Sequence, residues 1–171
     1  MINSVIRYGL IFILLAFLQV ILFNNIQFSG YVNPYIYLLF ILLLPTEIPS
    51  WLLLVLGFIT GSVIDIFSGS PGMHASATVL AAFVRPVVLR GISVREGNEA
   101  SVAPSMAVYG FRWFLIYTSV MVLVHHTALF YLEVFRLADF FRTLLRVIFS
   151  SFFSIVFILL IEYNRRGGQK A

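Results

Sequence analysis

The sequence contains no cysteine, few acidic residues and, from Tyr8 through Thr46, no charged residue at all. Without cysteine, disulfide bonds and thiolate metal sites are excluded. Three histidines and seven acidic residues offer few metal ligands, so we expect neither a metal site nor a cofactor. Charged residues make up 11% of the 171 residues, against about 25% in soluble domains, which leaves no stretch that resembles a soluble domain.

Apolar residues take the place of the missing charges, because 61% of the chain is hydrophobic and its mean hydropathy is +1.01. A membrane helix needs about 20 apolar residues, so this length predicts an all-α, polytopic membrane protein with about six spans in one domain, 1–171. Asn33-Pro34 suits the start of the second span, with Asn as cap and Pro in the first turn. The predicted spans are 5–23, 32–44, 50–67, 74–89, 107–130 and 143–163.

The positive charges predict the orientation of these spans. If the N-terminus is cytoplasmic, six spans place eight Lys and Arg residues on the inner side and three on the outer side. That asymmetry favours cytoplasmic N- and C-termini. The net charge of +4 is scattered over span ends, which indicates contact with lipid and not with nucleic acid.

The most informative stretch runs from Gly57 to Arg90. Its first helix carries Gly57, Gly61 and Asp65 at intervals of four residues, so that all three share one face. Small residues at this spacing let another helix approach closely inside a bilayer. This face therefore predicts tight packing of the third span against a neighbour.

A tight turn and a second helix follow this face. Gly69 and Gly72 lie in a Ser, Gly and Pro segment that predicts a chain reversal. The next helix opens with His74 and reaches Arg85-Pro86, where we expect a kink or an end because proline disrupts helical geometry. Arg85 has two open interpretations, which are contact with lipid phosphates and presentation to a partner.

The ionisable residues inside the spans have two interpretations. Asp65, His74 and the His125-His126 pair are all predicted near the outer face, where they are arranged either as a proton relay or as a neutral hydrogen-bonded cluster. Asp65 is the only acidic residue within the predicted spans apart from Glu162 at the end of the last one. A relay normally uses several carboxylates, so the sequence favours the structural cluster.

The remaining features offer no catalytic chemistry. Segment 132–142 carries charged residues three apart among apolar ones, which is typical of an amphipathic helix lying in the membrane interface or of an extension of a span. Aromatic residues also gather there, as a membrane-interface belt or a docking surface. No nucleophile–His–acid set, phosphate loop or zinc-protease motif is present, so we expect no enzyme and no catalytic residue.

The order of these features resembles the MreD family of bacterial rod-shape proteins. The likeness begins with Gln19 and Asn33-Pro34. It is strongest over 57–90, where the pattern GF-xx-G-xxx-D…G-xH…RP matches, and beyond Arg95 only hydropathy agrees. The matching residues are Gly57, Gly61, Asp65, Gly69, Gly72, His74, Arg85 and Pro86.

This resemblance implies a non-catalytic protein of the bacterial inner membrane. Proteins of this family associate with MreC, and through it with MreB, with RodA and with a penicillin-binding transpeptidase. Their helices are thought similar to those of the substrate-binding subunits of energy-coupling-factor transporters. The expected function is therefore a scaffold of the peptidoglycan elongation machinery that binds MreC. The alternative is a small-solute binding or transport subunit with a cavity between its helices.

Overall fold

The computed structural model describes residues 2–25, 32–92, 103–134 and 139–167, and most of these residues are helical. The helices are α1 (Ile2–Ile21), α2 (Leu38–Leu43), α3 (Ser50–Ser68), α4 (Met73–Ile92), α5 (Met106–Tyr109), α6 (Phe111–Val134) and α7 (Phe140–Gly167), with a 3₁₀ turn at Phe23–Asn25. Within the described residues, five helices are long and apolar enough to cross a membrane, namely α1, α3, α4, α6 and α7. The expected all-α polytopic fold is confirmed.

The second predicted span, 32–44, differs from our expectation. It holds one six-residue helix, α2, preceded by non-helical chain from Asn33 to Ile36. All residues from Ile36 through Leu44 are buried, so the segment runs through the interior of the bundle and not along its lipid-facing surface. Irregular backbone at membrane depth is tolerated where it is enclosed by protein in this way.

The irregular part of this segment is held by side chains from other helices. Asn33-Pro34 is compatible with a helix start, but the chain after it remains non-helical and α2 begins only at Leu38, so the predicted Asn cap is wrong. The backbone N–H groups of Asn33 and Tyr35 donate to the hydroxyls of Ser150 and Ser154 in α7. These bonds replace the helical bonds that the segment lacks.

The other helix limits require smaller corrections. The helix predicted over 74–89 passes through Pro86 without ending and reaches Ile92. The helix predicted over 107–130 is divided at Gly110, whose φ of 83° separates the short α5 from α6. The segment 132–142 forms the end of α6 and the start of α7, and its residues 135–138 lie outside the described chain.

The contacts define two ends of the bundle, which we name the Asp65 end and the Arg85 end. At the Asp65 end, α1 and α3 finish together, with the Asn24 amide donating to the Ser68 hydroxyl, and α4 begins. At the Arg85 end, α7 finishes beside α5, where the Met106 N–H donates to Glu162. Together with the interior segment, the chain passes between the two ends six times, so α1 begins at the end where α7 finishes.

Candidate functional site

The helical hairpin of α3 and α4 depends on two glycines that face α4. A Cβ atom added at Gly61 would lie 2.4 Å from Ala75 Cα and 2.5 Å from both Ala75 N and the His74 carbonyl oxygen. At Gly57 the nearest atom to an added Cβ is Ala82 Cβ, at 3.1 Å. The glycines four residues apart therefore allow the backbones of α3 and α4 to approach each other closely, and the approach is closest near the turn.

Asp65 closes this hairpin by capping the next helix. Its Oδ1 accepts from the His74 N–H at 2.9 Å and from the Ser70 hydroxyl at 3.1 Å. Its Oδ2 accepts from the N–H groups of Gly72 and Ala75, both at 3.0 Å. The first N–H groups of a helix lack helical partners and favour negative charge, so a carboxylate fits this position. In the described part of the chain, every hydrogen bond of the Asp65 carboxylate thus goes to its own hairpin.

The turn between α3 and α4 uses glycine at the positions that need it. Gly69 ends α3 in the left-handed conformation, with φ of 64°, and its N–H donates to the Asp65 carbonyl oxygen. Gly72 has φ of 83° and precedes α4 directly. The expected chain reversal is present, and it brings the N-terminus of α4 onto the Asp65 carboxylate.

Arg85 performs the corresponding role at the opposite end of the bundle. Its guanidinium is buried and donates to the carbonyl oxygens of Leu42, Leu44 and Pro45, which end the interior segment, and its Nε donates to the Tyr117 hydroxyl at 2.8 Å. Cations and donors are favoured at the C-terminus of a helix, where carbonyl groups lack helical partners. Arg85 therefore contacts the chain's own backbone, and it does not extend to the lipid surface as one of our two interpretations required.

We expect Arg85→Lys to lower the free energy of unfolding by about 2 kcal/mol or more, because an ammonium group cannot reproduce the guanidinium fork and leaves buried carbonyls unpaired. The measurement is unfolding in detergent followed by circular dichroism. Arg90→Lys is the control, since Arg90 is exposed on the same helix and, among the described residues, hydrogen-bonds only the Pro86 carbonyl. Equal stability of the two variants would contradict this role for Arg85.

A second polar group at the centre of the bundle surrounds the Tyr37 hydroxyl. This oxygen lies 2.7 Å from His125 Nε2, 3.0 Å from His74 Nδ1 and 3.3 Å from Thr78 Oγ1. The Thr78 hydroxyl itself donates to the His74 carbonyl oxygen. All four side chains are buried, so the interior segment is joined to α4 and α6 through one phenol group.

The same network continues from α6 to α7. His125 Nδ1 lies 3.4 Å from His126 Nδ1, which is also 3.0 Å from the Val122 carbonyl oxygen. His126 Nε2 lies 2.9 Å from the Ser154 hydroxyl, which in turn accepts from the Tyr35 N–H. Three histidines from two helices therefore hold the interior segment in place from both sides.

The partners assign the hydrogens of the neutral rings. Val122 offers only an acceptor, so His126 Nδ1 carries a hydrogen and the facing His125 Nδ1 does not. His125 Nε2 is then the donor to the Tyr37 oxygen, and the Tyr37 hydrogen has two acceptors within reach, His74 Nδ1 at 3.0 Å and Thr78 Oγ1 at 3.3 Å. His74 Nε2 has no hydrogen-bond partner among the described residues; it carries the hydrogen of the ring when Tyr37 donates to His74, and it is an acceptor when Tyr37 donates to Thr78.

This arrangement favours the neutral cluster over a proton relay. The Asp65 carboxylate is occupied by backbone N–H groups, and no carboxylate belongs to the network among the described residues. Toward the Arg85 end, Thr118 lies one turn beyond Val122, and its buried hydroxyl has no hydrogen-bond partner in the described part of the chain. The hydrogen-bonded path therefore stops inside the bundle.

A cavity of about 560 Å³ opens at the Asp65 end. Its polar lining includes Asn24, Asn25, Asn33, Ser68 and Ser70. Of the residues that we predicted as a site, Gly69 and His74 line it, whereas Asp65 and Arg85 are not among the described residues that do. The structure thus divides the predicted residues between two helix caps and one cavity wall.

Sequence reasoning missed several residues of this region. We did not predict that the Gln19 side chain contacts the backbone of Pro34 and Ile36 and so fixes the interior segment. The roles of Tyr35 and Tyr37 were not predicted. The available signal was the pair Ser150 and Ser154, four residues apart in an apolar helix, which indicates a polar stripe facing the interior.

No protein-family model, curated protein or solved structure matches the chain.

Proposed function

We propose that this chain is a non-catalytic scaffold of the bacterial peptidoglycan elongation complex, which binds MreC in the inner membrane. Through MreC it connects to MreB, RodA and a penicillin-binding transpeptidase. Both termini are cytoplasmic in this proposal, so the Asp65 end faces outward. The motif that resembles the MreD family is the starting point, and the geometry of its residues supports the proposal.

The proposal rests mainly on one observation. The two ionisable residues of the motif that cap helices, Asp65 and Arg85, bond to this protein's own chain. Asp65 accepts four hydrogen bonds from its own hairpin, and Arg85 donates to the end of the interior segment and to Tyr117. Within the described chain, both oxygens of Asp65 and all three nitrogens of Arg85 are already engaged in hydrogen bonds to the protein itself. Both fix the positions of helices, as a protein requires when its task is to present a rigid surface.

Lipid-facing side chains provide the surface for a partner helix. Helix α1 is the least buried of the five long helices, because only 17% of its most apolar stretch of residues is buried. Leu10 and Phe17 lie on its exposed side. A single-span partner that packs along α1 would cover these residues without disturbing the interior. We therefore place the MreC contact on this helix.

Cysteine crosslinking tests this placement, because the background lacks cysteine. We expect Leu10→Cys and Phe17→Cys to crosslink to single cysteines in the membrane helix of co-expressed MreC. Phe83→Cys on α4 and Phe152→Cys on α7 are equally exposed apolar controls on other helices, and we expect no crosslink from them. Failure of the wild-type chain to co-purify with MreC would overturn the scaffold, whereas crosslinks from the control positions alone would overturn only the choice of α1.

The cavity favours a second candidate, a small-solute binding or transport subunit. A volume of about 560 Å³ is within the range of small-molecule sites, and its lining is largely polar. Transport also needs a coupling group, yet Asp65 is occupied by the hairpin and Glu162 is paired with Arg165 at 2.5 Å. Uptake of a solute by liposomes that contain only the purified chain would favour this candidate over the scaffold.

A further inference from the structure

The described lining of the cavity at the Asp65 end carries balanced charges. The Glu133 carboxylate and the Arg146 guanidinium both line it, and they form an ion pair with 2.9 Å between Oε1 and Nη1. The guanidinium also lies over the ring of Phe130, 4.4 Å from its centre. An ion entering the cavity would have to separate this pair or remain without a counter-charge, and both are unfavourable in a partly desolvated site.

Two polar side chains in the wall are almost fully buried and have hydrogen-bonding capacity left over. Tyr35 is 8% exposed and His74 is 4% exposed, and both line the cavity. In the part of the chain that the structure describes, neither the Tyr35 hydroxyl nor His74 Nε2 has a hydrogen-bond partner. His74 Nε2 and the Tyr35 hydroxyl can each act as a donor or as an acceptor toward a ligand.

Aromatic rings complete the wall. Phe23 and Phe67 line the cavity beside Tyr35, whose ring packs at 5.0 Å and nearly edge-on against His74. Planar or ring-shaped ligands bind well between such surfaces, while a few polar groups fix their orientation. The described lining thus combines aromatic residues, amide groups and two unpartnered polar groups, and its charges sum to zero.

We propose that this cavity binds a small uncharged ring compound that carries an amide or hydroxyl group. That group pairs with His74 Nε2, and a second polar group of the ligand bonds the Tyr35 hydroxyl. The Glu133–Arg146 pair remains closed and excludes charged analogues. This site does not depend on MreC binding, because no residue used here belongs to the α1 surface or to the two helix caps.

Two matched pairs of probes test the proposal on the full chain in detergent micelles, by saturation-transfer NMR and equilibrium dialysis. N-acetylglucosamine and nicotinamide are uncharged amides, and glucosamine at pH 6 and nicotinate are their charged counterparts. We expect at least one uncharged amide to bind about ten-fold or more tightly than its charged counterpart. Absence of binding by both uncharged probes, or equal binding of the charged ones, overturns the proposal.

The Tyr35→Phe variant, which removes only the hydroxyl oxygen, tests whether the probe binds in this cavity. Tyr35→Phe is expected to weaken binding of the uncharged probe by about three- to ten-fold, which is the usual effect of one hydrogen bond. Tyr131→Phe is the control, because its hydroxyl donates to the Phe140 carbonyl and Tyr131 does not line the described cavity. Equal affinity of the two variants would place the probe elsewhere and overturn the assignment.

Discussion

Gly61→Ala is expected to lower the free energy of unfolding by at least about 3 kcal/mol, because the added methyl group meets backbone and not a movable side chain. The new Cβ would lie 2.4 Å from Ala75 Cα, whereas carbon atoms in contact are separated by about 3.5 Å or more. Helices α3 and α4 would have to separate by about 1 Å along the hairpin. That movement also pulls the N-terminus of α4 away from Asp65.

Alanine substitutions at two other glycines provide comparisons for Gly61→Ala. Gly57→Ala brings a Cβ to 3.1 Å from Ala82 Cβ, a contact that small shifts relieve, so we expect a change within about 1 kcal/mol. Gly9→Ala in the lipid-facing helix α1 meets no atom within 4 Å and should be neutral or slightly stabilising. Unfolding of the three variants in mixed detergent micelles, followed by circular dichroism, should rank them Gly61, Gly57, Gly9. Any other order would show that close approach of backbone is not what limits this hairpin.

Asp65→Leu is the second large effect that we expect, with a loss of about 4 kcal/mol or more. The leucine offers no acceptor to the N–H groups of Gly72, His74 and Ala75, and those of His74 and Ala75 are buried. Asp65→Asn should cost about half as much, because one oxygen remains while the amide nitrogen faces donors. Detergent unfolding measures both variants, and co-purification with MreC measures the consequence for the scaffold.

The controls for Asp65 separate loss of the cap from loss of a charge. Glu47→Leu makes the same chemical change at an exposed position in the turn before α3, and we expect a change within about 0.5 kcal/mol. If Asp65→Leu were as stable as Glu47→Leu and captured MreC at full yield, the helix cap would have no structural importance. A fold that is unchanged in Asp65→Asn together with complete loss of partner capture would instead indicate a direct contact.

Much of the α3–α4 hairpin was predictable from the sequence because its determinants are local. Gly57, Gly61 and Asp65 share a helical face at any angle of packing, and the turn after them requires glycine conformations whatever surrounds it. The all-α class and the five long helices likewise follow from apolar runs of sufficient length. These features need no information about distant parts of the chain.

The interior segment was not predictable in the same way. Hydropathy identifies 32–44 as an apolar stretch, but it cannot distinguish a lipid-facing helix from a buried irregular chain, since both are apolar. The difference arises from Gln19, Ser150 and Ser154, which are distant in sequence and supply the missing backbone partners. The cavity depends on the same distant contacts, so its lining was outside the reach of local patterns.

The interior segment also has a consequence for the way this protein enters its membrane. The partners of the Asn33 and Tyr35 N–H groups lie 117 and 119 residues later in the chain, so they do not exist when the ribosome first delivers this stretch. Exposed to lipid alone, these backbone groups would be unpaired at a substantial energetic cost. We therefore expect the newly made stretch to lie first at the membrane surface or to form a transient helix. It takes its final position in the interior only after the last helix has been synthesised.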